Sequence, residues 1–150
     1  MSFGIAAGIL AVENGKVLMV QERQAKCKGK WGFPIGNLDE DRKESVMECA
    51  VREGREETGF DFRLKHSIGI YHQYSSNGDG KPKIGFIFLA EIVGGKLSIN
   101  KDEIMDAAWF SFKKIDALEK KGLLRADYVK RVIDDFRANK KVPLNCIVVL

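Results

Sequence analysis

The stretch "GNLDEDRKESVMECAVREGREETGF" (Gly36 to Phe60) runs a glycine- and charge-rich loop directly into a helical pattern. The helix is expected from about Glu44 to Thr58, with Gly59 as its C-terminal stop, since glycine adopts the left-handed cap at no steric cost. At about 100° per residue, Glu53, Glu56 and Glu57 fall at i, i+3 and i+4 on one face, and Cys49 lies one turn earlier on that side. Met47, Val51, Gly54 and Thr58 take roughly the opposite side, the one expected to pack on a sheet. Gly54 costs about 1 kcal/mol relative to alanine inside a helix. A close approach of helix to sheet would justify it.

Three carboxylates at that spacing repel one another, and two readings account for them. One is a solvated helix laced with ion pairs, in which Arg52 reaches Glu56 at i,i+4 and Arg55 reaches its own neighbours. The other is a cation site. The acidic cluster sits near the helix C-terminus, the wrong end for the macrodipole. A hard divalent ion such as magnesium, which takes oxygen ligands at about 2.0–2.1 Å, relieves both problems. Helical geometry alone does not choose between them.

On the N-terminal side, "GILAVENGKVLMV" holds two apolar runs joined by Asn14-Gly15, a hairpin signal because both residues tolerate positive φ. The polar loop "QAKCKGK" follows Arg23, then "WGF" and Pro34, and "IGNLDEDRK" reads as loop. On the C-terminal side, strands are expected from about Arg63 to Tyr74 and from Lys83 to Ile92, with "SSNGDGKP" as the turn between them. "AAWFSF" suggests a further short strand. Ile115 to Lys120 and Tyr128 to Ala138 read as helices, the second with an apolar stripe of Val129, Val132, Ile133 and Phe136. The closing "CIVVL" adds a strand or covers the core. A mixed sheet with helices packed on it, an α/β fold, follows from this order.

With 150 residues, the chain is long enough for one domain with a real core, and no repeat or linker divides it. A formal charge of +4 suits an anionic small molecule and is weak for a dedicated nucleic-acid binder. Cys27, Cys49 and Cys146 are odd in number, far apart and without a CxxC pair, which speaks against a zinc site or a disulfide framework. Free thiols point to a reducing compartment, most simply cytoplasmic. "FGIAAGILAV" lacks a basic leader and is too short to span a bilayer, so a buried strand is expected and no membrane partner.

The stretch Gly36 to Phe60 resembles the Nudix box, G-x5-E-x7-R-E-U-x-E-E-x-G-U with U a bulky aliphatic residue. Glu44, seven intervening residues, Arg52-Glu53, Glu56-Glu57, Gly59 and Phe60 fit in register. "WGFPIG" is similar to the W-x-x-P-G-G lead-in, and "DEIMDAAWF" stands where many members carry an acidic residue ahead of a tryptophan. The sequence departs from the pattern in three places. Seven residues rather than five separate Gly36 from Glu44, Gly54 replaces the first aliphatic, and Ile35 replaces the first glycine of the lead-in pair.

The resemblance implies a Nudix-type α/β/α sandwich and hydrolysis of a nucleoside diphosphate derivative. Glu53, Glu56 and Glu57 would bind Mg2+, with Mn2+ as a substitute. Arg52 would orient the carboxylates, Glu44 would brace the box, and Gly36 would let the loop pass close to the metal. The catalytic set is then Arg52, Glu53, Glu56 and a loop base, Glu103 first and Asp102 second. Arg23 is a candidate phosphate ligand, and Trp31 and Phe33 are candidates for stacking on a base, against the alternatives of a surface arginine and core aromatics. Tyr71, His72 and Tyr74 could line a pocket, and the lysines of "KCKGK" could steer polyphosphates.

The stretch "VLMVQERQAKCKGKWGFPIG" resembles MutT-like members, so (deoxy)nucleoside di- and triphosphates, oxidised ones included, are the first substrate expected. ADP-ribose or dinucleoside polyphosphate hydrolysis is the alternative within the family. A non-catalytic nucleotide sensor is the alternative outside it, although such proteins commonly lose box glutamates. An RNA-end module would need a more basic, aromatic groove. A nucleotide is thus the expected partner, and the oligomeric state is left open, a homodimer included.

Overall fold

The two apolar runs within residues 4–22 fold as the expected hairpin. Strand β1 (Gly4–Glu13) turns through Asn14 and Gly15, at φ 51° and 72°, into β2 (Lys16–Glu22). The computed structural model describes residues 4–74 and 80–150. Further along the chain come β3 (Trp31–Gly32), β4 (Ile35–Asn37), α1 (Val46–Thr58), β5 (Phe60–Tyr74) and β6 (Pro82–Gly95). They are followed by β7 (Ile104–Ser111), α2 (Phe112–Lys120) and α3 (Asp127–Arg137). Ser75 to Asp79, the centre of the expected β5–β6 turn, lie outside the described residues.

The strands form one mixed sheet in the order β3-β2-β1-β6-β5, with β4 paired to β1 and β7 to β2. Strands β1 and β6 pair in parallel, Gly4 opposite Lys83 through Ala11 opposite Ala90. Strand β4 was not expected, because "IGNLDEDRK" reads as loop. Its three residues pair antiparallel with Ala6, Ala7 and Gly8, a long-range partner that no local pattern reveals.

Side-chain alternation sends the sheet's two faces into two cores. Ala7, Ile9, Ala11, Leu18 and Phe88 pack against Cys49 and Ala50 of α1. Leu10, Val17, Met19 and Ile87 pack against Ile115, Val129, Val132 and Ile133 of α2 and α3. The architecture is therefore the α/β/α sandwich expected. Among the described residues, no helix is long and apolar enough to cross a membrane.

Local chemistry fixes α1 at both ends. Ser45 and Glu48 form a reciprocal capping box, the Glu48 N–H donating to Ser45 Oγ at 3.1 Å and the Ser45 N–H to Glu48 Oε2 at 2.8 Å. Gly59 closes the helix at φ 79°. The face turned to the sheet is rotated from the one expected. Cys49, Ala50, Gly54, Glu57 and Thr58 are buried, while Met47 and Val51 are only half-buried. A Cβ at Gly54 would stand 2.8 Å from the Phe62 ring, so the close approach is real and the missing aliphatic is its condition.

The chain ends in a single 3-10 turn, Leu144–Cys146, and not in a strand. Leu144 and Ile147 lie against the α1-side core, and Val148 to Leu150 are exposed. All three cysteines are free.

Candidate active site

Arg52 is the hub of the box. Its Nε and Nη2 donate to the two oxygens of Glu44 at 2.8 and 2.6 Å, and Nη1 donates to Glu53 at 2.8 Å and Glu56 at 3.1 Å. Nη2 also reaches the Asn37 carbonyl at 3.2 Å, tying α1 to β4. These bonds pull the Glu44 carboxyl down to about 2, the Arg52 hydrogen bond being the main cause, and raise the guanidinium in turn. Glu44 also accepts from the Asp39 N–H at 3.0 Å. The two extra residues of the loop are absorbed there, in a 3-10 turn over Glu40–Arg42 capped by Asp39 and closed by Lys43 at φ 51°.

Strand β4 passes directly over α1. A Cβ at Gly36 would sit 1.9 Å from the Glu53 carboxyl carbon, so any side chain there would displace that carboxylate. The Ile35 N–H donates to Glu57 Oε2 at 3.3 Å. Beyond them opens a cavity of about 490 Å³ whose lining includes Gly36, Glu53, Glu57, Tyr71, Lys83, Glu103, Arg125 and Tyr128.

The three box glutamates do not form one solvated ridge. Glu57 is buried, at 5% exposure, and Glu56 is exposed, held by Arg52 outside the cavity lining. Burial raises the Glu57 carboxyl well above its ordinary value, and the nearby charges of Glu22 and Glu53 push the same way. Glu53 is raised by burial despite the opposing Arg52 bond. Sequence reasoning missed Glu22. It is 3% exposed at the end of β2, raised by burial and by Glu103, and opposed by Arg125, whose Nη1 donates to it at 2.7 Å. Its signal was strand alternation, because Glu22 shares a face with the fully buried Val20.

Among the described residues, no group of three His, Cys, Asp or Glu side chains already converges on a point where an ion would sit. The donor chemistry nevertheless fits a hard divalent cation. All the donors are carboxylate oxygens, Glu53 Oε2, Glu56 Oε1 and Glu57 Oε1 accept no hydrogen bond from a described residue, and the buried members gain from any added positive charge.

The other candidates divide. Gly36 and Glu103 line the cavity, Glu103 from the loop before β7. Arg23 is exposed and absent from the lining. Its backbone N–H donates to the Glu103 carbonyl at 3.1 Å, and Arg125 supplies the cavity's arginine instead. Trp31 and Phe33 are not stacking platforms in this arrangement. Trp31 is buried edge-on against Phe110, with ring centres 4.6 Å apart, and Phe33 is fully buried in the α3-side core. Tyr71 lines the cavity and donates from its hydroxyl to Asp135 at 2.9 Å, whereas His72 and Tyr74 are exposed. Lys26 and Lys30 of "KCKGK" reach the cavity, and Asp102 does not.

A family model described as NUDIX domain matches residues 2–132. The 8-oxo-dGDP phosphatase NUDT18 of Danio rerio is 35% identical over 73% of this chain and 32% of its own length. An ADP-ribose pyrophosphatase of Methanocaldococcus jannaschii is 30% identical over 74% of this chain and 63% of its own length. The chain thus spans about a third to two thirds of the length of these curated relatives. A solved NUDIX hydrolase from Nitrosomonas europaea superposes with a TM-score of 0.87 at 29% identity, over 99% of this chain and 98% of that one. With the box in register, Arg52 at its centre and the family model covering most of the sequence, the chain belongs to the NUDIX domain family.

Proposed function

We propose that this chain is a divalent-cation-dependent pyrophosphohydrolase of nucleotides. Glu53, Glu56 and Glu57 would hold magnesium, or manganese in its place. The observation that carries the reading is the surplus of carboxylates, Glu22, Glu53, Glu57 and Glu103, around a cavity whose edge is organised by Arg52. When bound, the cation offsets phosphate charge and lowers the pKa of a coordinated water. Arg52 fixes the rotamers of Glu53 and Glu56, Glu44 fixes Arg52, and Gly36 leaves room for the Glu53 carboxylate. Glu103 at the rim is the candidate acceptor for the proton of the attacking water.

The first substrate class is (deoxy)nucleoside di- and triphosphates, oxidised bases included, which the likeness to an 8-oxo-dGDP phosphatase supports. ADP-ribose is the second reading, favoured by the likeness to an ADP-ribose pyrophosphatase. The retained box glutamates speak against a purely sensory role. A screen across these compounds, with and without magnesium, tests the proposal, reading phosphate or pyrophosphate release from the di- and triphosphates and, through added phosphatase, the two phosphomonoesters released from ADP-ribose. Magnesium-dependent release that disappears in Glu56→Gln is expected. Release that is unchanged in Glu56→Gln, or independent of metal, refutes it.

A further inference from the structure

The box does not explain the positive charge on the cavity's other wall. Lys83 projects from β6 into the lining, with no ion pair or hydrogen bond to a described residue. Burial pushes its ammonium below the ordinary lysine value, and Arg125 nearby pushes the same way, with Glu22 the opposing charge. Arg125 itself cannot swing away. Its guanidinium is held by Glu22 at 2.7 Å, and its backbone N–H by the Trp31 carbonyl at 2.8 Å. Lys83 is thus a half-buried unpaired charge beside the Arg125–Glu22 ion pair, and the guanidinium spends only part of its N–H donors on Glu22, so an anion between the two side chains would satisfy both.

Tyr128, in the first turn of α3, supplies an independent observation. It lines the same cavity, yet its hydroxyl is buried without a hydrogen-bond partner among the described residues. A buried hydroxyl left unpaired is costly, so such a group usually marks a missing partner. The surrounding charges are Arg125, Glu22 and Glu57. Ammonium, guanidinium and phenol are donors, and Glu22 is already neutralised by Arg125. A phosphate oxygen cluster is the chemistry that three such donors match.

We propose that Lys83, Arg125 and Tyr128 form a phosphate subsite facing the box carboxylates, which takes the nucleotide phosphate not held at those carboxylates. This deepens, and rests on, the reading of the cavity as a nucleotide pyrophosphohydrolase site. An unpaired ammonium, the remaining guanidinium donors and a phenol suit a terminal phosphate, which carries close to two charges at neutral pH, better than a singly charged internal phosphate. The subsite therefore selects nucleoside di- and triphosphates over sugar-capped or dinucleoside compounds.

The test is calorimetric titration of inorganic pyrophosphate, ADP and ADP-ribose into the full chain in EDTA, so that neither metal nor turnover enters. Lys83→Met is expected to weaken pyrophosphate binding about tenfold or more, and Tyr128→Phe several-fold. Lys83→Arg should restore most of the loss. Lys16→Met, which removes the same charge at the exposed hairpin, should change binding less than about twofold. ADP should bind more tightly than ADP-ribose. The subsite is overturned if pyrophosphate does not bind, if Lys83→Met binds like the parent, if Lys16→Met weakens binding equally, or if ADP-ribose matches ADP. Circular dichroism of each variant excludes unfolding as the cause of a loss. Because these measurements need no catalysis, a chain without hydrolase activity that still binds pyrophosphate through Lys83 would sink the enzymatic reading and leave the subsite standing.

Discussion

Arg52 and Glu44 show how one ion pair can set the shape of a site. Both side chains are largely buried, at 17% and 7% exposure, and two hydrogen bonds join them. Glu44→Gln should cost about 1–3 kcal/mol at neutral pH, read by urea unfolding. The sign of the pH effect follows from the depressed carboxyl. Its stabilisation is complete above the ordinary value of 4.5 and is lost as pH falls towards about 2. The parent should therefore lose stability across that acid window relative to Glu44→Gln, and parallel pH profiles would count against the assignment. At this scale the sequence disclosed the box but not its surroundings. Arg52, Glu53 and Glu56 lie within one helix, so spacing alone aligns them. Arg125 meets Glu22 from 103 residues away, a pairing that only the folded chain creates. Trp31 and Phe33 stay open between core and stacking roles in the sequence for the same reason, since what buries them arrives from β7 and α3.

Among the elements, α1 was the most legible because its signals are local. Periodicity and the Gly59 stop lie within fifteen residues of sequence, and the Ser45–Glu48 capping box, seen only in the folded chain, starts the helix at Val46 and not at Glu44. Ser45→Ala removes the cap oxygen that accepts the Glu48 N–H and should lower stability by about 1 kcal/mol in thermal melts, with box geometry otherwise kept. The helix face was less legible. Cys49 and Ala50, not Met47 and Val51, meet the sheet, because Gly54 lets the helix settle onto Phe62 and Ile9. Strand β4 carried no local signal at all, yet it roofs the site. Gly36→Ala should therefore abolish turnover, since a methyl group there meets the Glu53 carboxylate, and kinetics on any substrate found by the screen would check this.

Over the whole molecule, the sandwich buries five acidic or polar side chains among the described residues that a monotonous core would exclude: Glu22, Glu57, Thr58, Ser67 and Asp135. Ser67 and Asp135 are satisfied by hydrogen bonds, and Glu22 by Arg125. Glu57 is left with one long backbone bond and two neighbouring negative charges, so the fold carries a local cost that a bound cation would offset. Ile133, fully buried between α3 and the sheet, offers the contrast of an ordinary core position. Ile133→Ala should cost about 2–5 kcal/mol with or without metal. The most direct test of the cation site is the melting temperature of the parent and of Glu57→Gln, each with and without manganese. The account predicts that manganese raises the melting temperature of the parent, and that Glu57→Gln melts higher than the parent in EDTA but gains little from manganese. An equal manganese shift in both proteins, or none in the parent, would contradict it.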